Sequence, residues 1–266
     1  MGREPAARQK SVSNMVRAIR RVLEENLPSM YLYGSCVLDD FRLGWSDIDL
    51  LVLTKKRITR KQAEELVTLR QKLLEREPGN PYYRSFEGGM LTLEAFLSKE
   101  PDCVVYWGTS GQRIAEAYSF DSFSMAELLQ NGRLLYGQDI RGQLKMPDYP
   151  MLCAAVRRHY GTIRSYGSEG GRSLYSFGWL LDIARGLYTL RTGAVASKTA
   201  AGQWALDNGL CPAPDALETA LRVRRTPTAY RDDSAVWDYA QTLGDKIQRF
   251  ADVLEKELEA AGVGEC

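Results

Sequence analysis

The chain has 266 residues, of which 44% are hydrophobic and 26% charged, and its formal net charge at neutral pH is +1. This composition is typical of a globular protein with one large or two medium domains. The nearly balanced charge provides no overall field that attracts long nucleic acid or an anionic membrane surface, so neither is expected as a partner.

The five cysteines are scattered along the chain and form no C-x-x-C pair. They are Cys36, Cys103, Cys153, Cys211 and Cys266. Scattered single cysteines, in a sequence without a recognisable signal peptide, are typical of reduced thiols in a cytosolic protein. No apolar run reaches the roughly 20 residues needed to cross a bilayer. We therefore expect a cytoplasmic protein that does not span a membrane.

Predicted helices and strands alternate in the first half of the chain. Apolar spacing predicts helices over residues 9–27 and 59–76 and a short helix around Leu128. The predicted strands cover residues 30–33, 84–93, 103–107 and 132–137, together with one that carries Asp47 and Asp49. Among these, the strand over residues 103–107 is predicted to lie at a sheet edge.

The second half reads as a series of helices. They are predicted over residues 152–166, 173–191, 196–206, 215–223 and 232–259, with Gly193 ending the second of them. Residues 138–150 are rich in Gly, Pro and polar side chains and mark a domain boundary. The pattern predicts an α/β (α+β) fold, with a mixed-sheet domain flanked by helices over residues 1–145 and an all-α helical bundle over residues 146–266.

Two carboxylates stand two residues apart on the predicted second strand. Side chains alternate along a strand, so Asp47 and Asp49 share one face while Ile48 and Leu50 point to the other. Like charges this close require a cation, and paired carboxylates suit Mg²⁺, which binds through one or two carboxylates plus phosphate oxygens of a substrate. The nearby residues 39–40 are also acidic, but they are adjacent, diverge, and are predicted to cap or solvate a loop.

Gly34 and Ser35 follow the first predicted strand. A glycine lets the backbone come close to a ligand, and a chain that becomes helical after Ser35 presents free N–H groups and a hydroxyl to a phosphate. The sequence thus places a metal site and a phosphate cradle between the same two strands.

This arrangement resembles the signature of the polymerase-β-like nucleotidyltransferase superfamily, which is a hydrophobic residue, Gly-Ser, a spacer, and Asp-x-Asp on a strand. It stands here as L-Y-G-S at residues 32–35 and S-D-I-D at residues 46–49. The resemblance implies a nucleotidyltransferase catalytic domain over residues 1–145, ATP as co-substrate, and two Mg²⁺ ions held by Asp47 and Asp49. It also implies contacts to the nucleotide phosphates from Gly34, Ser35 and Ser46.

In this superfamily a third carboxylate on a neighbouring strand completes the metal site or accepts the proton of the acceptor hydroxyl. Glu87 and Glu94 are the two candidates on the predicted third strand. We favour Glu87, which lies at the start of that strand behind an apolar residue, as the corresponding glutamate does in aminoglycoside-modifying members. Glu94 is expected to begin the following turn.

The second half resembles the C-terminal domain of the streptomycin and spectinomycin adenylyltransferases. The resemblance lies in an arginine in one helix, Arg185, and a lysine that opens the next helix, Lys198, followed by Trp-Ala at residues 204–205. It implies that Arg185 and Lys198 bind the nucleotide phosphates from the helical domain, which therefore closes on nucleotide and substrate. Tyr230 is a looser match to a nucleotide-contacting tyrosine.

The acceptor side departs from the streptomycin-modifying members. These carry acidic residues just before the arginine helix to pair with a cationic drug, whereas residues 170–177 here contain none. Glu169, Asp182 and Asp102 are possible substitutes. The lone histidine, His159, is predicted to lie on a helix surface.

We therefore expect a Mg²⁺-dependent nucleotidyltransferase that moves AMP from ATP to a hydroxyl of a small molecule, with an aminoglycoside, and hence antibiotic resistance, as one acceptor class. One alternative is the same chemistry on protein or RNA, as in toxin-antitoxin pairs. Another is a catalytically silent nucleotide-binding protein of this fold. A glycosyltransferase that uses Asp-x-Asp is disfavoured because fewer than fifty residues precede the motif.

Overall fold

The chain folds into two units. The computed structural model describes residues 6–26, 29–108, 111–169, 171 and 173–262. The first unit contains the chain up to Phe41, Ser46–Phe120 and Ser124–Met146. The second contains Arg42–Trp45, Asp121–Phe123 and the chain from Pro147 onward. Two short segments of the first half of the sequence thus belong structurally to the second unit.

A mixed sheet of six strands, counted over the described residues, forms the first unit. The strands are β1 (Ser29–Tyr33), β2 (Ile48–Thr54), β3 (Phe86–Thr92), β4 (Val104–Gly108), β5 (Gly111–Ala115) and β6 (Arg133–Gly137). Their order is β5-β4-β3-β2-β1-β6. The β2–β3 pair is parallel and the other pairs are antiparallel, so the predicted mixed sheet is confirmed.

One strand expectation is wrong. The segment predicted as an edge strand, β4, lies inside the sheet, because β5 pairs with it from Val104 opposite Ala115 to Gly108 opposite Gly111. β5 was missed in the sequence since only Ile114 and Ala115 of its five residues are apolar and they are adjacent, which leaves none of the apolar alternation that marks a strand.

The helices along the first part of the chain are α1 (Ala6–Leu23), α2 (Arg60–Arg76), α3 (Leu93–Ser98) and α4 (Ser122–Asn131). α1 ends four residues before its predicted end, and Leu27 lies outside the described residues. α2 begins at a capping box, in which Thr59 and Gln62 satisfy each other's backbone N–H groups. α2 also accepts a hydrogen bond from the indole of the fully buried Trp107, at 3.1 Å to the carbonyl of Leu66, which fixes it against one face of the sheet.

The opposite face of the sheet has its own core. Tyr31, Leu51 and Leu91 are buried there together with Leu128 of α4. This core occupies the middle of the face, and the polar residues of the candidate site continue the same face toward one end of the strands.

The second unit is helical in its described residues. Its helices are α5 (Tyr149–Tyr166), α6 (Leu174–Thr192), α7 (Lys198–Asp207), α8 (Pro214–Arg225), α9 (Ser234–Gln241) and α10 (Gly244–Ala260). α6 is the central helix, with eleven buried residues, and it packs against α5, α7, α8 and α10. Gly193 ends α6 at a positive φ of 68°, as the sequence predicted.

The helix predicted over residues 232–259 is two helices. Thr242 and Leu243 separate α9 from α10, and the hydroxyl of Thr242 donates a hydrogen bond to the carbonyl of Tyr239 at 2.8 Å. A threonine hydroxyl that hydrogen-bonds to a carbonyl of the preceding turn competes with the backbone hydrogen bonds that would continue the helix. The spacing of apolar residues does not reveal this competition.

Two expectations about the chain as a whole concern its thiols and membranes. Cys36, Cys103, Cys153 and Cys211 form no disulfide bonds with one another, and Cys266 lies outside the described residues. Within the described residues, every helix is too short or too polar to cross a bilayer.

Candidate active site

The ends of β1, β2 and β3 bring three polar side chains into one row. Tyr33 lies opposite Asp49 in the antiparallel pair, and Asp49 lies beside Glu87 in the parallel pair. Register partners on neighbouring strands project to the same face and are about 5 Å apart at the backbone. Asp49 and Glu87, both half-buried, therefore face the same space at the same end of the sheet.

Asp47 lies one residue before β2 and is also half-buried. Its charge and that of Glu87 both act on the guanidinium of Arg70, which α2 brings to this end of the sheet. Burial lowers the pKa of Arg70, and these two carboxylates partly offset that effect. Arg70 is further held by a 2.7 Å hydrogen bond from its Nη1 to the carbonyl of Phe86, directly before Glu87.

Arg70 was not identified in the sequence. It lies on a helix rich in charged residues, and nothing in the local pattern distinguishes it from its solvated neighbours. Its positive charge reduces the repulsion among the acidic residues, because a cation close to two carboxylates favours their ionised forms.

Gly34 is shaped by its contact with Asp49. It has a φ of +68°, and a Cβ at this position would lie 2.1 Å from Oδ2 of Asp49. The carboxylate thus lies directly on the backbone of the turn, which only glycine permits. The sequence predicted that the Gly-Ser turn lies close to the Asp-x-Asp strand. The contact between Gly34 and Asp49 is where the two meet.

The turn itself differs from the expected helix. Residues 34–36 form a single 3₁₀ turn, closed by a hydrogen bond from the N–H of Val37 to the carbonyl of Gly34 at 3.1 Å. Ser35 is half-buried, and its hydroxyl donates a long 3.4 Å hydrogen bond to the carbonyl of Asp47. Ser46 is buried, with 8% exposure. A phosphate at this turn would meet individual N–H and hydroxyl groups instead of the end of a regular helix.

Tyrosines surround the carboxylates. Tyr106 donates a hydrogen bond to Oε1 of Glu87 at 3.3 Å, and the hydroxyls of Tyr33 and Tyr118 are 3.4 Å apart. Burial raises the pKa of both Tyr33 and Tyr118, and the charges of Asp49 and Glu87 raise them further, so these phenols stay protonated. They supply neutral hydroxyl groups and aromatic surface beside the acidic residues.

Strand glycines make room for these rings. A Cβ on Gly89 would lie 2.6 Å from the ring of Tyr118, and a Cβ on Gly108 would lie 2.0 Å from the hydroxyl oxygen of Tyr106. The ring of Tyr118 therefore occupies the space above Gly89.

The alternative third carboxylate lies elsewhere. Glu94 is exposed in the first turn of α3, whose N-cap is Thr92, so it begins a helix and not a turn. Only Glu87 of the two candidates is a register partner of Asp49.

The donor set fits Mg²⁺ in its chemistry. Asp47, Asp49 and Glu87 supply hard carboxylate oxygens. Over the described residues, however, no three acidic, histidine or cysteine side chains converge into a complete metal site. A full protein ligand set is not required, because Mg²⁺ commonly binds through one or two carboxylates and takes its other ligands from phosphate and water. The arrangement can thus hold a metal together with a bound polyphosphate.

Cationic side chains of the second unit form another group. Lys198 is the first residue of α7, after the N-cap Ser197. Its ammonium lies 2.8 Å from Oδ1 and 3.1 Å from Oδ2 of Asp182 on α6. Arg185 follows Asp182 by three residues, on the same side of α6. The spacing in sequence predicted two cations on adjacent helices, and the structure adds a carboxylate to them.

A small pocket adjoins this group, lined in part by Asp182, Arg185, His159 and Phe123. The guanidinium of Arg185 lies 4.6 Å from the ring centroid of Phe123, in cation–π contact. His159 is half exposed on α5, and its Nε2 is 3.3 Å from Oδ2 of Asp121. The histidine predicted as a surface residue is therefore also a pocket wall.

The remaining residues considered in the sequence have separate surroundings. Tyr230 lies in a 3₁₀ turn after α8, half-buried against the core of the second unit. Asp102 is buried and accepts hydrogen bonds from the backbone N–H groups of Thr92 and Cys103, at 2.8 and 2.7 Å. Glu169 is exposed. In the stretch that lacks acidic residues, positions 170 and 172 lie outside the described residues.

Comparisons with known proteins agree with both halves of this description. The family model described as a nucleotidyltransferase domain matches residues 16–80, and that described as the C-terminal domain of aminoglycoside adenylyltransferase matches residues 156–256. No curated protein sequence gives a significant match.

A solved structure shares the fold. Spectinomycin adenyltransferase AAD(9) from Enterococcus faecialis, crystallised with ATP and spectinomycin, is similar with a TM-score of 0.62 and 16% sequence identity. The match covers 93% of this chain and 99% of that one. Together with the two matched domain models, it shows what the chain is similar to: a nucleotidyltransferase domain over residues 16–80, the C-terminal domain of the aminoglycoside adenylyltransferases over residues 156–256, and the fold of AAD(9) over most of its length.

Proposed function

We propose that the protein transfers AMP from ATP to a hydroxyl group of a small molecule, and that aminocyclitol or aminoglycoside antibiotics are the acceptor class. One observation carries most of the proposal: Asp49 and Glu87 are register partners on adjacent strands, directly beside the glycine turn on which the Asp49 carboxylate rests. Two carboxylates next to an open backbone turn suit a metal-bound polyphosphate.

Each group of predicted site residues has a proposed part in binding the nucleotide. Asp47, Asp49 and Glu87 would hold Mg²⁺, which, when bound, neutralises charge on the phosphates. Gly34, Ser35 and Ser46 would contact the β- and γ-phosphates. The phosphate charge that Mg²⁺ does not neutralise requires further cations, and Arg185 and Lys198 are proposed for this role. Tyr230 is proposed as a further nucleotide contact.

Glu87 is the residue proposed to activate the acceptor. Its carboxylate accepts the proton of the acceptor hydroxyl while the hydroxyl oxygen forms a bond to the α-phosphorus of ATP. The bond between the α-phosphorus and the bridging oxygen breaks, and pyrophosphate leaves with the electron pair. The hydrogen bond from Tyr106 holds Glu87 in one orientation during this exchange.

The choice among acceptors follows from the charges in the protein. A strongly cationic drug such as streptomycin requires carboxylates that are free to pair with it. Asp102 and Asp182 are two of the three acidic residues considered for this role. Asp102 accepts hydrogen bonds from backbone N–H groups, and Asp182 pairs with Lys198. We therefore infer that a less cationic aminocyclitol fits better, and AAD(9), which shares the fold, was crystallised with spectinomycin.

Pyrophosphate release tests the proposal. The purified protein is incubated with ATP and Mg²⁺, and with spectinomycin, streptomycin, kanamycin or lincomycin in turn, and the acceptor is analysed for added AMP by mass spectrometry. We expect release with spectinomycin and loss of release when EDTA replaces Mg²⁺. Asp47→Asn and Asp49→Asn should each slow turnover on the order of a thousandfold, since each removes a metal ligand.

Asp39→Asn is the matched control. Asp39 is an exposed loop aspartate with a φ of +53° that asparagine also tolerates, and its replacement should leave turnover unchanged. Full activity of both Asp47→Asn and Asp49→Asn would remove the mechanism. If AMP is found on protein or RNA and not on a small molecule, the acceptor class proposed here is wrong.

A further inference from the structure

Asp182 is an unusual member of a group proposed to bind phosphate. Both of its carboxylate oxygens contact the ammonium of Lys198, at 2.8 and 3.1 Å. The pair is largely shielded, with exposures of 20% for Asp182 and 29% for Lys198. Screening by solvent is weak at such exposure, so the charge of Asp182 acts strongly on its neighbours.

Three cationic or titratable side chains act on this carboxylate. Burial raises the pKa of Asp182, but Lys198, then Arg185 and His159, lower it, and the net result is a pKa below the ordinary value. Asp182 is therefore ionised at neutral pH and serves as the counter-ion of a positive cluster. Asp182 thus offers the same cations a negative charge, as a bound phosphate would.

A polyphosphate and Asp182 would compete for Lys198. An anion bound to Lys198 lies within a few ångströms of the Asp182 carboxylate, and two negative charges at that distance repel each other appreciably in a partly buried site. We propose, on the basis of the function proposed above, that Asp182 limits the affinity of the Arg185–Lys198 group for polyphosphate and so keeps the release of pyrophosphate fast.

The alternative is a purely structural tether. In that case Asp182 holds the flexible lysine side chain in place, and its removal makes the lysine mobile and weakens phosphate binding. The two roles predict opposite changes in affinity when the charge is removed. The sign of the change therefore separates them.

Titration calorimetry with inorganic tripolyphosphate in EDTA measures this affinity without acceptor or metal. We expect Asp182→Asn to bind tripolyphosphate on the order of tenfold more tightly than the wild type. The difference should shrink as salt concentration rises. Asp182→Glu retains the charge and should bind within about threefold of the wild type. A slower release of pyrophosphate in single-turnover experiments with Asp182→Asn is expected as well.

Asp215→Asn is the matched control, because it removes an aspartate that also pairs with a lysine of the same unit, Lys246, at 2.7 Å. It should leave affinity unchanged. Circular dichroism melting checks that each variant is folded, and Asp182→Ser serves as a second charge-removing variant should Asp182→Asn fail to fold.

Each remaining outcome overturns the inference in a recognisable way. Provided that binding by the wild type depends on Lys198, weaker binding by Asp182→Asn shows a tether, and unchanged binding shows that Asp182 has neither role. Both results leave the proposed function in place. No binding by the wild type, or no effect of Lys198→Ala, shows that Arg185 and Lys198 do not bind polyphosphate. That result removes this inference and the role proposed for the two cations, whereas AMP transfer is tested separately by pyrophosphate release.

Discussion

Asp49 and Glu87 are register partners on the parallel strands β2 and β3. They are 38 positions apart in the sequence, and α2 connects their strands. A parallel pair of strands requires such a crossover, so the helix that brings Arg70 to the site is also the element that makes this register possible. The acidic pair and its nearby cation thus depend on one βαβ connection.

Glu87→Gln should lower kcat for AMP transfer about 100- to 1000-fold with little change in the KM for ATP. Glutamine can still accept the hydrogen bond from Tyr106, but it does not take up a proton at neutral pH, and general bases contribute factors of this size. The measurement is steady-state pyrophosphate release. Glu94→Gln, at the other candidate position, is exposed in α3 and should stay within about twofold of the wild type. A larger loss in Glu94→Gln than in Glu87→Gln would reverse the assignment.

Gly34→Ala should abolish most activity, because its Cβ would lie 2.1 Å from Oδ2 of Asp49 and must displace that carboxylate. We expect a fall in kcat on the order of a hundredfold or more. The positive φ adds a stability cost of about 1–3 kcal/mol, measured by urea unfolding.

The control for Gly34→Ala is Gly209→Ala. Gly209 has a similar φ of +62°, and a Cβ there meets nothing within 4 Å. It should show the stability cost without the loss of rate. Equal activity in the two variants would mean that the contact between Gly34 and Asp49 has no catalytic consequence.

Local signals in the sequence were sufficient for the strands that carry Asp49 and Glu87 and for the turn at Gly34, although they missed β5. The alternation around Asp49, the break at Gly34 and the apolar residue before Glu87 each follow from short-range rules, and the strands they predicted are present. The catalytic and binding roles of these residues stay predictions until the variants are measured.

Features that depend on packing between distant segments were not predictable in this way. Arg70 and Tyr118 approach the acidic row only because α2 and the segment after β5 pack where they do. The contact between Asp182 and Lys198 joins two helices and looks, in sequence, like two unrelated surface charges. Propensity and periodicity describe one element at a time, so contacts of this kind lie beyond them.

Thr59→Ala should destabilise the first unit by about 1 kcal/mol, within the range of 0.5–2 kcal/mol for loss of an N-cap. The substitution removes the acceptor of the hydrogen bond from the N–H of Gln62 and so breaks the capping box that begins α2. Urea unfolding measures the change. Thr68→Ala, an exposed threonine inside the same helix, should be neutral or stabilising, since alanine has the higher helix propensity. Equal destabilisation by both would show that the cap is not the cause.

Cys211 makes the free energy of unfolding depend on pH in the alkaline range. Burial raises the pKa of its thiol from 9.0 to about 11, and the thiol lies 3.3 Å from the carbonyl oxygen of Ala213, to which it donates a hydrogen bond. A group whose pKa is higher in the folded than in the unfolded state contributes stability below the unfolded pKa and loses that contribution as the pH rises toward the folded pKa. The sensitive window is therefore pH 9 to 11.

Cys211→Ala removes this titration. At pH 7 the variant should be less stable than the wild type because it loses buried volume. Between pH 8 and pH 10.5 the wild type should lose about 2 kcal/mol of unfolding free energy relative to the variant, as a shift of about two pKa units implies. Urea unfolding under reducing conditions at each pH measures the difference. A gap between the two proteins that stays constant from pH 8 to pH 10.5 would show that the thiol titrates alike in the folded and unfolded chains.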